Sequence, residues 1–163
     1  MKEDKLTIEL VPKSLWNKSI RSRILRKDWD KLRKRILEEF DNICGVCDSV
    51  IKPLHCHEEW KYDDENYIQK LNRLVSLCSL CHHVKHLGHT RSLSGKGLLD
   101  IDTVIEHFVK VNSCSEDHFY DAEDEAFDIW FDRSQHEWKV DFGEYDGFIA
   151  IVSGTVVGEK KKE

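Results

Sequence analysis

The chain has 163 residues, enough for one domain with a core and too few for two domains of ordinary size. No apolar run approaches the length of a membrane span, and the N-terminal residues MKEDKLTIEL are charged and lack the apolar region of a secretion signal. We therefore expect a cytoplasmic protein without a membrane partner. In that reducing compartment its six cysteines are expected to be metal ligands or free thiols.

The net charge of −6 conceals an asymmetry along the chain. Residues 1–40 hold 12 Lys and Arg against 7 Asp and Glu, whereas residues 111–163 hold 5 against 14. A basic N-terminal face can bind phosphates despite the acidic total, because counterion release depends on local contacts. The acidic C-terminal half fits a surface for a protein partner, a patch that mimics DNA, or a simple solubilising surface.

The first predicted elements are a strand and two helices. LTIELV (6–11) mixes apolar and polar residues and is rich in β-formers, which predicts a strand that ends at Pro12. The stretch SLWNKSIRSRI predicts a short helix from about Ser14. Between Asp28 and Phe40 the apolar residues recur three and four apart, which predicts an amphipathic helix.

This amphipathic helix carries part of a basic run. From this run we single out three residues as candidate nucleic-acid contacts, Arg33, Lys34 and Arg35. Two interpretations are open: the run holds a phosphate backbone, or it is an ordinary solvated helix face.

The middle of the chain predicts a short, turn-rich unit. CGVCDSVIKPLHCH (44–57) suits a metal knuckle followed by a hairpin, and residues 63–72 resemble a loop that runs into a short helix. A further helix is predicted from about Ser79 to Gly88, where glycine would cap its end.

The second half of the chain predicts a linker, two helices and a hairpin. RSLSGKGLLD (91–100) is rich in glycine and serine and is the best linker candidate. IDTVIEHFVKVN (101–112) and EDEAFDIWFDRS (123–134) have helical apolar spacing. The aromatic and β-branched segment after them predicts a hairpin around Gly143 or Gly147, and the charged GEKKKE end should fray.

Two CxxC pairs predict a zinc site. Cys44-Gly-Val-Cys47 and Cys78-Ser-Leu-Cys81 are separated by thirty residues. Two intervening residues let both thiolates of a pair turn toward one point, and two pairs complete the tetrahedron that zinc prefers. Cys56 and Cys114 have no such partners, and we interpret them as small core residues.

The histidines predict a second metal site. His82 and His86 are four residues apart and share one face if a helix spans them, a spacing with which one helix offers two imidazoles to one metal. His57, between the cysteine pairs, is the obvious third ligand, and His83 would point elsewhere. The alternative is that HHVKH is a solvated basic turn.

The segment from Trp29 to Gly88 resembles a known family. It carries, in order, W-D-K-L-R, C-x-x-C, L-H-C-H-E, L-C-x-x-C-H and K-H-x-G, and in these motifs it is similar to the HNH endonucleases, whose core is a treble-clef or ββα-metal finger. The resemblance implies a structural zinc on the four cysteines and a second, open metal site that cuts a phosphodiester bond of DNA. Magnesium, manganese, nickel and zinc are the candidate catalytic ions.

The catalytic positions depart from the family pattern. The family usually offers Asp-His or His-His on the hairpin strand, a metal ligand followed by a general base, where this chain has His57-Glu58. Glu58 would then be the base, a role that a carboxylate can fill beside a metal. A second register makes Cys56 the ligand and His57 the base, and would demand a softer metal than magnesium. The family's asparagine would fall at Arg73, one residue after Asn72.

We therefore expect an α+β fold with a zinc-stapled treble-clef core. Residues 1–90 would hold the N-terminal strand, the basic helices and the finger, and residues 91–163 an acidic helical and hairpin extension packed on the same domain. The expected function is a metal-dependent HNH-like endonuclease acting on DNA. One alternative is a catalytically degenerate zinc-finger module that binds nucleic acid or a protein partner, and another is an inhibitor or adaptor fused to a structural finger.

Overall fold

The computed structural model describes residues 2–154, which form an α+β fold around a three-stranded sheet. The strands are β1 (Leu54–Asp63), β2 (Ile68–Cys78) and β3 (Lys139–Asp141). The α-helices of the described residues are α1 (Ile20–Arg23), α2 (Arg26–Glu39), α3 (Ser79–Lys85), α4 (Leu87–Gly95), α5 (Ile101–Asn112), α6 (Glu116–Arg133) and α7 (Asp146–Ser153). Short 3-10 turns occupy Lys13–Leu15 and Gly143–Tyr145. The GEKKKE segment lies outside the described residues.

A long antiparallel hairpin forms the centre of the molecule. β1 and β2 pair from Leu54 opposite Cys78 to Asp63 opposite Ile68, with a register shift between Glu59 and Trp60. The hairpin turn is stabilised by Asp63, whose carboxylate accepts hydrogen bonds from two turn amides. β3 joins the outer end of β2 in parallel.

Other elements pack on both faces of the hairpin where β2 ends. Consecutive residues at the end of β2 are therefore all buried, without the usual alternation of buried and exposed side chains. Val75 and Leu77 face a core shared with α3, α5 and α6, in which the Phe108 and Phe119 rings meet edge to face at 5.2 Å. Leu74 faces a second core, which α2 contacts through its buried apolar stripe. The helical predictions for 28–40, 101–112 and 123–134 are confirmed, although α2 begins two residues earlier and α6 seven residues earlier.

The strand predicted at residues 6–11 is wrong. This segment lies across α3 and α5 without joining the sheet, and the Asn112 side chain exchanges hydrogen bonds with the backbone N–H and C=O of Leu6, both at 2.9 Å. The N–H of Glu9 donates to the carbonyl of Lys85 at 3.1 Å. A side-chain amide and a helix end therefore satisfy backbone groups that a neighbouring strand would otherwise pair. The helix expected from Ser14 is also shorter, a 3-10 turn followed by α1.

The hairpin lies later in the chain than predicted. Residues 63–72 form a tight turn and the start of β2, not a loop and helix. One polar residue of this stretch, Gln69, is buried and accepts a hydrogen bond from the Tyr62 hydroxyl at 2.8 Å. From sequence alone such a polar residue is predicted to be exposed to solvent, because the sequence does not show its hydrogen-bond partner on the neighbouring strand.

The helix predicted from Ser79 to Gly88 breaks at His86. There the backbone leaves helical geometry (φ −101°, ψ 47°), and α4 begins at Leu87 with Gly88 inside it. The hydroxyl of buried Thr90 donates to the carbonyl of His83 at 2.7 Å and so caps the end of α3. The predicted linker 91–100 is correspondingly shorter, because its first half belongs to α4.

The predicted C-terminal hairpin is also wrong. β3 pairs with β2 and has no return strand among the described residues, and the apolar run after it forms α7. Phe148 and Ile149 of α7 pack against the core beneath α2. Short apolar runs fit a buried helix as well as a strand, so their periodicity alone does not decide between the two.

None of the helices formed by residues 2–154 combines the length and the apolar character required to cross a bilayer.

Candidate metal centres and the adjoining cleft

The structure brings the two CxxC pairs together. The sulfur atoms of Cys44, Cys47, Cys78 and Cys81 all lie within 4.8 Å of one another. The first pair lies on the loop after α2, and the second joins the end of β2 to the start of α3. Four cysteines at this separation could hold a structural metal ion, and four thiolates suit zinc.

Glycine is required inside the first pair. A Cβ on Gly45 would lie 2.7 Å from Cε1 of Phe40 and 2.9 Å from Cγ2 of Val75. The Gly45 N–H also donates to the carbonyl of Ser76 at 2.8 Å, which ties the loop to β2. The close approach of loop and strand therefore sets the position of the first two sulfurs.

The cysteine cluster favours a cation electrostatically. Hydrogen bonds from the thiols of Cys78 and Cys81 hold the pKa of Cys44 well below its usual range. Because the thiols of Cys78 and Cys81 donate to that thiolate, the pKa of Cys78 rises to about 11, and the pKa of Cys81 rises as well. Without a cation, a single thiolate thus suppresses ionisation of its neighbours, whereas a divalent metal would stabilise all four.

His107 on α5 adjoins this cluster. Its Nε2 lies 3.1 Å from the sulfur of Cys81, and burial lowers the pKa of its imidazole. A neutral imidazole can donate its N–H to a thiolate and support it from outside the ligand set. Sequence analysis did not find this residue, because His107 stands in a helix far from either CxxC pair and has no ligand spacing.

The structure also gathers the three histidines predicted as ligands. His57 on β1, His82 in α3 and His86 at the junction of α3 and α4 offer nitrogen atoms that all lie within 4.8 Å of one another. The ring centroids are 4.6–5.5 Å apart. His83 lies outside this group, with Nδ1 3.4 Å from the hydroxyl of Thr90.

The environment of the histidine cluster keeps two of its imidazoles, those of His82 and His86, neutral. Burial, reinforced by the neighbouring rings, lowers the pKa of His82 to about 2 and that of His86 to about 4. A neutral imidazole is the form that binds a metal. The three rings could therefore hold a metal ion.

Glu9, on the N-terminal segment, contacts the same cluster. Its Oε2 lies 3.1 Å from Nε2 of His57, and its Oε1 accepts a hydrogen bond from Nζ of Lys85 at 2.8 Å. Burial opposes the charge of Glu9, but the His57 hydrogen bond and the attraction of Lys85 outweigh it, so the pKa of Glu9 lies below its ordinary value. Glu9 is 48 residues from His57 in sequence, and nothing in its local pattern indicates the contact.

Glu58, the base expected from the sequence, faces another way. Adjacent residues of a strand point to opposite faces, and the Glu58 carboxylate accepts a hydrogen bond from the Ile20 N–H of α1 at 2.8 Å. Burial raises the pKa of Glu58 to about 7. Cys56 lies on the same side, packs against the α2 core, and has its pKa raised by burial to about 12.

His55 shares the face of His57. Its ring stacks on that of His82 with centroids 4.7 Å apart, and its Nε2 lies 3.1 Å from the hydroxyl of Ser79. Burial, and then the charge of Arg33, lower the pKa of His55. The alternation H-C-H in the sequence could have indicated this residue, because His55 and His57 must share a face in any strand.

The three basic candidates of α2 separate in the structure. Arg33 donates from Nη2 to the carbonyl of Leu54 at 2.7 Å and lines a cleft beside the histidines. Lys34 and Arg35 are exposed and lie 3.9 Å and 3.6 Å from carboxylate oxygens one turn further along α2. Arg33 alone of these three is directed at the cleft.

This cleft has a volume of about 870 Å³ and lies between the N-terminal segment, β1 and the junction of α3 and α4. Its lining includes the histidine cluster, His55 and Glu58, and the cations Lys18, Arg21 and Arg33. Indole rings border it as well, among them Trp16, which is 56% exposed. A cleft of this size with convergent polar groups is typical of a ligand site.

The residues expected near the family's asparagine lie elsewhere on the hairpin. Asn72 and Arg73 are exposed, and both donate to the carboxylate of Glu59. This contact links the two strands next to their register shift.

Comparison of the chain with models of protein families, with curated proteins and with solved structures finds no match.

Proposed function

We propose that this protein is a metal-dependent endonuclease of the HNH type, built on a treble-clef core, that hydrolyses phosphodiester bonds of DNA. The observation that carries the proposal is the cluster of three imidazoles that opens into a cleft lined by arginines. The motif order from Trp29 to Gly88 supports the same assignment. The four cysteines would hold a structural zinc, whose thiolates persist in a reducing compartment such as the cytoplasm.

The histidines would hold the catalytic ion. A divalent metal bound there supplies a Lewis acid for a phosphate oxygen and lowers the pKa of a bound water. His57, His82 and His86 fix its position on one strand and one helix end, both of which are held by buried apolar contacts. Arg21 and Arg33 would attract the substrate's phosphates to the same cleft.

Two side chains of the cleft are candidates for the proton acceptor. Glu58 is the candidate from the family pattern, but its carboxylate binds the N-terminus of α1. His55 shares the face of the metal ligands, stacks on His82 and is neutral. The geometry favours His55, and substitution of each separates the two, since loss of a general base costs about 10²–10⁴ in rate.

The test measures cleavage of supercoiled DNA, linear duplex, single-stranded DNA and RNA with magnesium, manganese, nickel or zinc, and with chelator. We expect metal-dependent cleavage that His57→Ala, His82→Ala and His86→Ala each abolish. His83→Ala is the matched control, because His83 neighbours these ligands in sequence and lies outside the cluster. His55→Ala should cost more rate than Glu58→Gln.

A second function would follow from a negative result. If the wild type cleaves none of these substrates with any of the four ions, the finger is a binding module for nucleic acid or for a protein partner. The acidic α6, whose exposed side chains include several carboxylates, is the surface on which a basic protein partner would bind.

A further inference from the structure

A buried polar network joins the N-terminal segment to the histidine cluster. The Glu9 carboxylate lies between Nε2 of His57, at 3.1 Å, and Nζ of Lys85, at 2.8 Å. Lys85 also donates to the hydroxyl of Thr7 at 2.8 Å. His57 is 3% exposed and Lys85 4%, so neither can exchange these partners for water.

The backbone fixes Glu9 in this position. Its N–H donates to the carbonyl of Lys85, at the end of α3, while its side chain binds the ammonium group of the same residue. Two contacts to one residue define both the location and the orientation of the carboxylate. Glu9 therefore reaches His57 as part of a prearranged unit, and its contact does not depend on a mobile surface side chain.

We propose that Glu9 is a positioning residue for the histidine metal site: it accepts a hydrogen bond from Nε2 of His57 and so directs Nδ1 of that ring to the metal. An ionised carboxylate only accepts hydrogen bonds, so the proton between the two groups belongs to the imidazole. The other ring nitrogen then carries the free lone pair. The inference rests on the metal-binding part of the proposed function and not on cleavage.

Lys85 adjusts the strength of this contact. Its positive charge balances that of Glu9, so the carboxylate polarises His57 less than an unpaired anion would. Removal of the lysine charge should leave the hydrogen bond in place and make His57 a better ligand. Removal of the glutamate charge should make it a poorer one. The two partners of one ion pair thus have opposite effects on metal affinity.

The experiment titrates Zn²⁺ into full-length protein whose cysteine site is already filled, without DNA. We expect Glu9→Gln to weaken binding of the second zinc about 10–100-fold, the range found for residues that support metal-bound histidines. Lys85→Met should bind zinc as tightly as the wild type or more tightly. Glu123→Gln is the matched control, because Glu123 is ion-paired with Arg91 and contacts none of the three histidines.

A purely structural role would give another pattern. If the network only stabilises the fold, both partner variants lower the melting temperature and neither changes the affinity for the second zinc. That result overturns the proposal and leaves the metal site intact. A wild type that binds no second zinc overturns the proposal together with the metal site of the proposed function.

Nitrogen-15 NMR of the histidine rings in the zinc-loaded wild type provides a readout that does not require any variant to fold. The expected spectrum has His57 bound to zinc through Nδ1 and protonated at Nε2. Zinc on Nε2 of His57, or direct coordination of zinc by Glu9, overturns the proposal.

Discussion

Replacement of Cys81 by serine should remove the zinc that we propose for the cysteine cluster and destabilise the whole described fold. Cys81 is fully buried, and its cluster connects the loop after α2 with the end of β2 and the start of α3. Zinc binding to such sites contributes about 10–16 kcal/mol in zinc-finger peptides. The net stability of a domain is only about 5–15 kcal/mol, so the metal contribution is as large as the whole margin.

The size of the effect follows from linkage. A site that binds zinc a thousandfold more weakly loses about 4 kcal/mol of stabilisation at a saturating zinc concentration. One kcal/mol changes the melting temperature by roughly 2–4 °C in a chain of this size. Cys81→Ser should therefore melt at least about 8–16 °C below the wild type. Chelator should have a comparable effect on the wild type and little further effect on the variant.

The assay combines zinc content per chain with thermal unfolding followed by circular dichroism. Cys114→Ser is the matched control, because Cys114 is half-buried and lies outside both candidate metal centres. The control should keep its zinc and lose little stability. Stoichiometric zinc in Cys81→Ser with an unchanged melting temperature would refute the zinc assignment.

Three further predictions test the packing and the cleft. Gly45→Ala should lose about 1–3 kcal/mol of unfolding free energy, because the added Cβ overpacks the site. Gly95→Ala is its control: no atom lies within 4 Å of the new Cβ, so the unfolding free energy should change by no more than about 1 kcal/mol. Equal melting curves for the two variants would contradict this. Arg21→Ala should reduce the salt dependence of the proposed DNA binding by about one counterion. Arg35→Ala should leave that slope unchanged, because the Arg35 side chain is ion-paired within α2; equal slopes for the two variants would contradict this. Phe108→Ala should cost about 3–5 kcal/mol in denaturant unfolding, because its ring is fully buried; a loss below about 1 kcal/mol would show that the core collapses around the gap.

The elements that could be predicted from the sequence are those with long, regular patterns. α2, α5 and α6 have apolar residues at helical spacing over more than two turns. The buried side chains of α2 and α5 follow that spacing, whereas the one buried residue of α6 is Phe119, before the predicted start of the helix. The two CxxC pairs were informative because ligand geometry is local within each pair. His82 and His86 were informative for the same reason, even though the helix between them ends earlier than predicted.

The features that could not be predicted depend on contacts between distant segments. The prediction of an N-terminal strand was wrong because Asn112, more than a hundred residues away, makes the hydrogen bonds of the Leu6 backbone that a neighbouring strand would otherwise make. The start of β2 was not predicted because the polar Gln69 interrupts its apolar pattern. Gln69 is buried there because it accepts a hydrogen bond from Tyr62 on the opposite strand of the hairpin. The contact of Glu9 with the histidine cluster has the same origin, since no local spacing relates a residue before the hairpin to one within it.

The short helix α3 links the two candidate metal centres, and each end of it depends on a different set of contacts. With seven residues it is too short to be stable alone, so tertiary contacts must hold it. At its start Cys78 and Cys81 belong to the cysteine cluster, and His82 follows directly. At its end Lys85 is held by Glu9, and the chain turns there to direct His86 at the other two imidazoles. A metal on the cysteines would therefore fix His82, while the N-terminal segment fixes the end of α3 before His86. The HHVKH motif thus contributes to a candidate ligand set only in the folded chain.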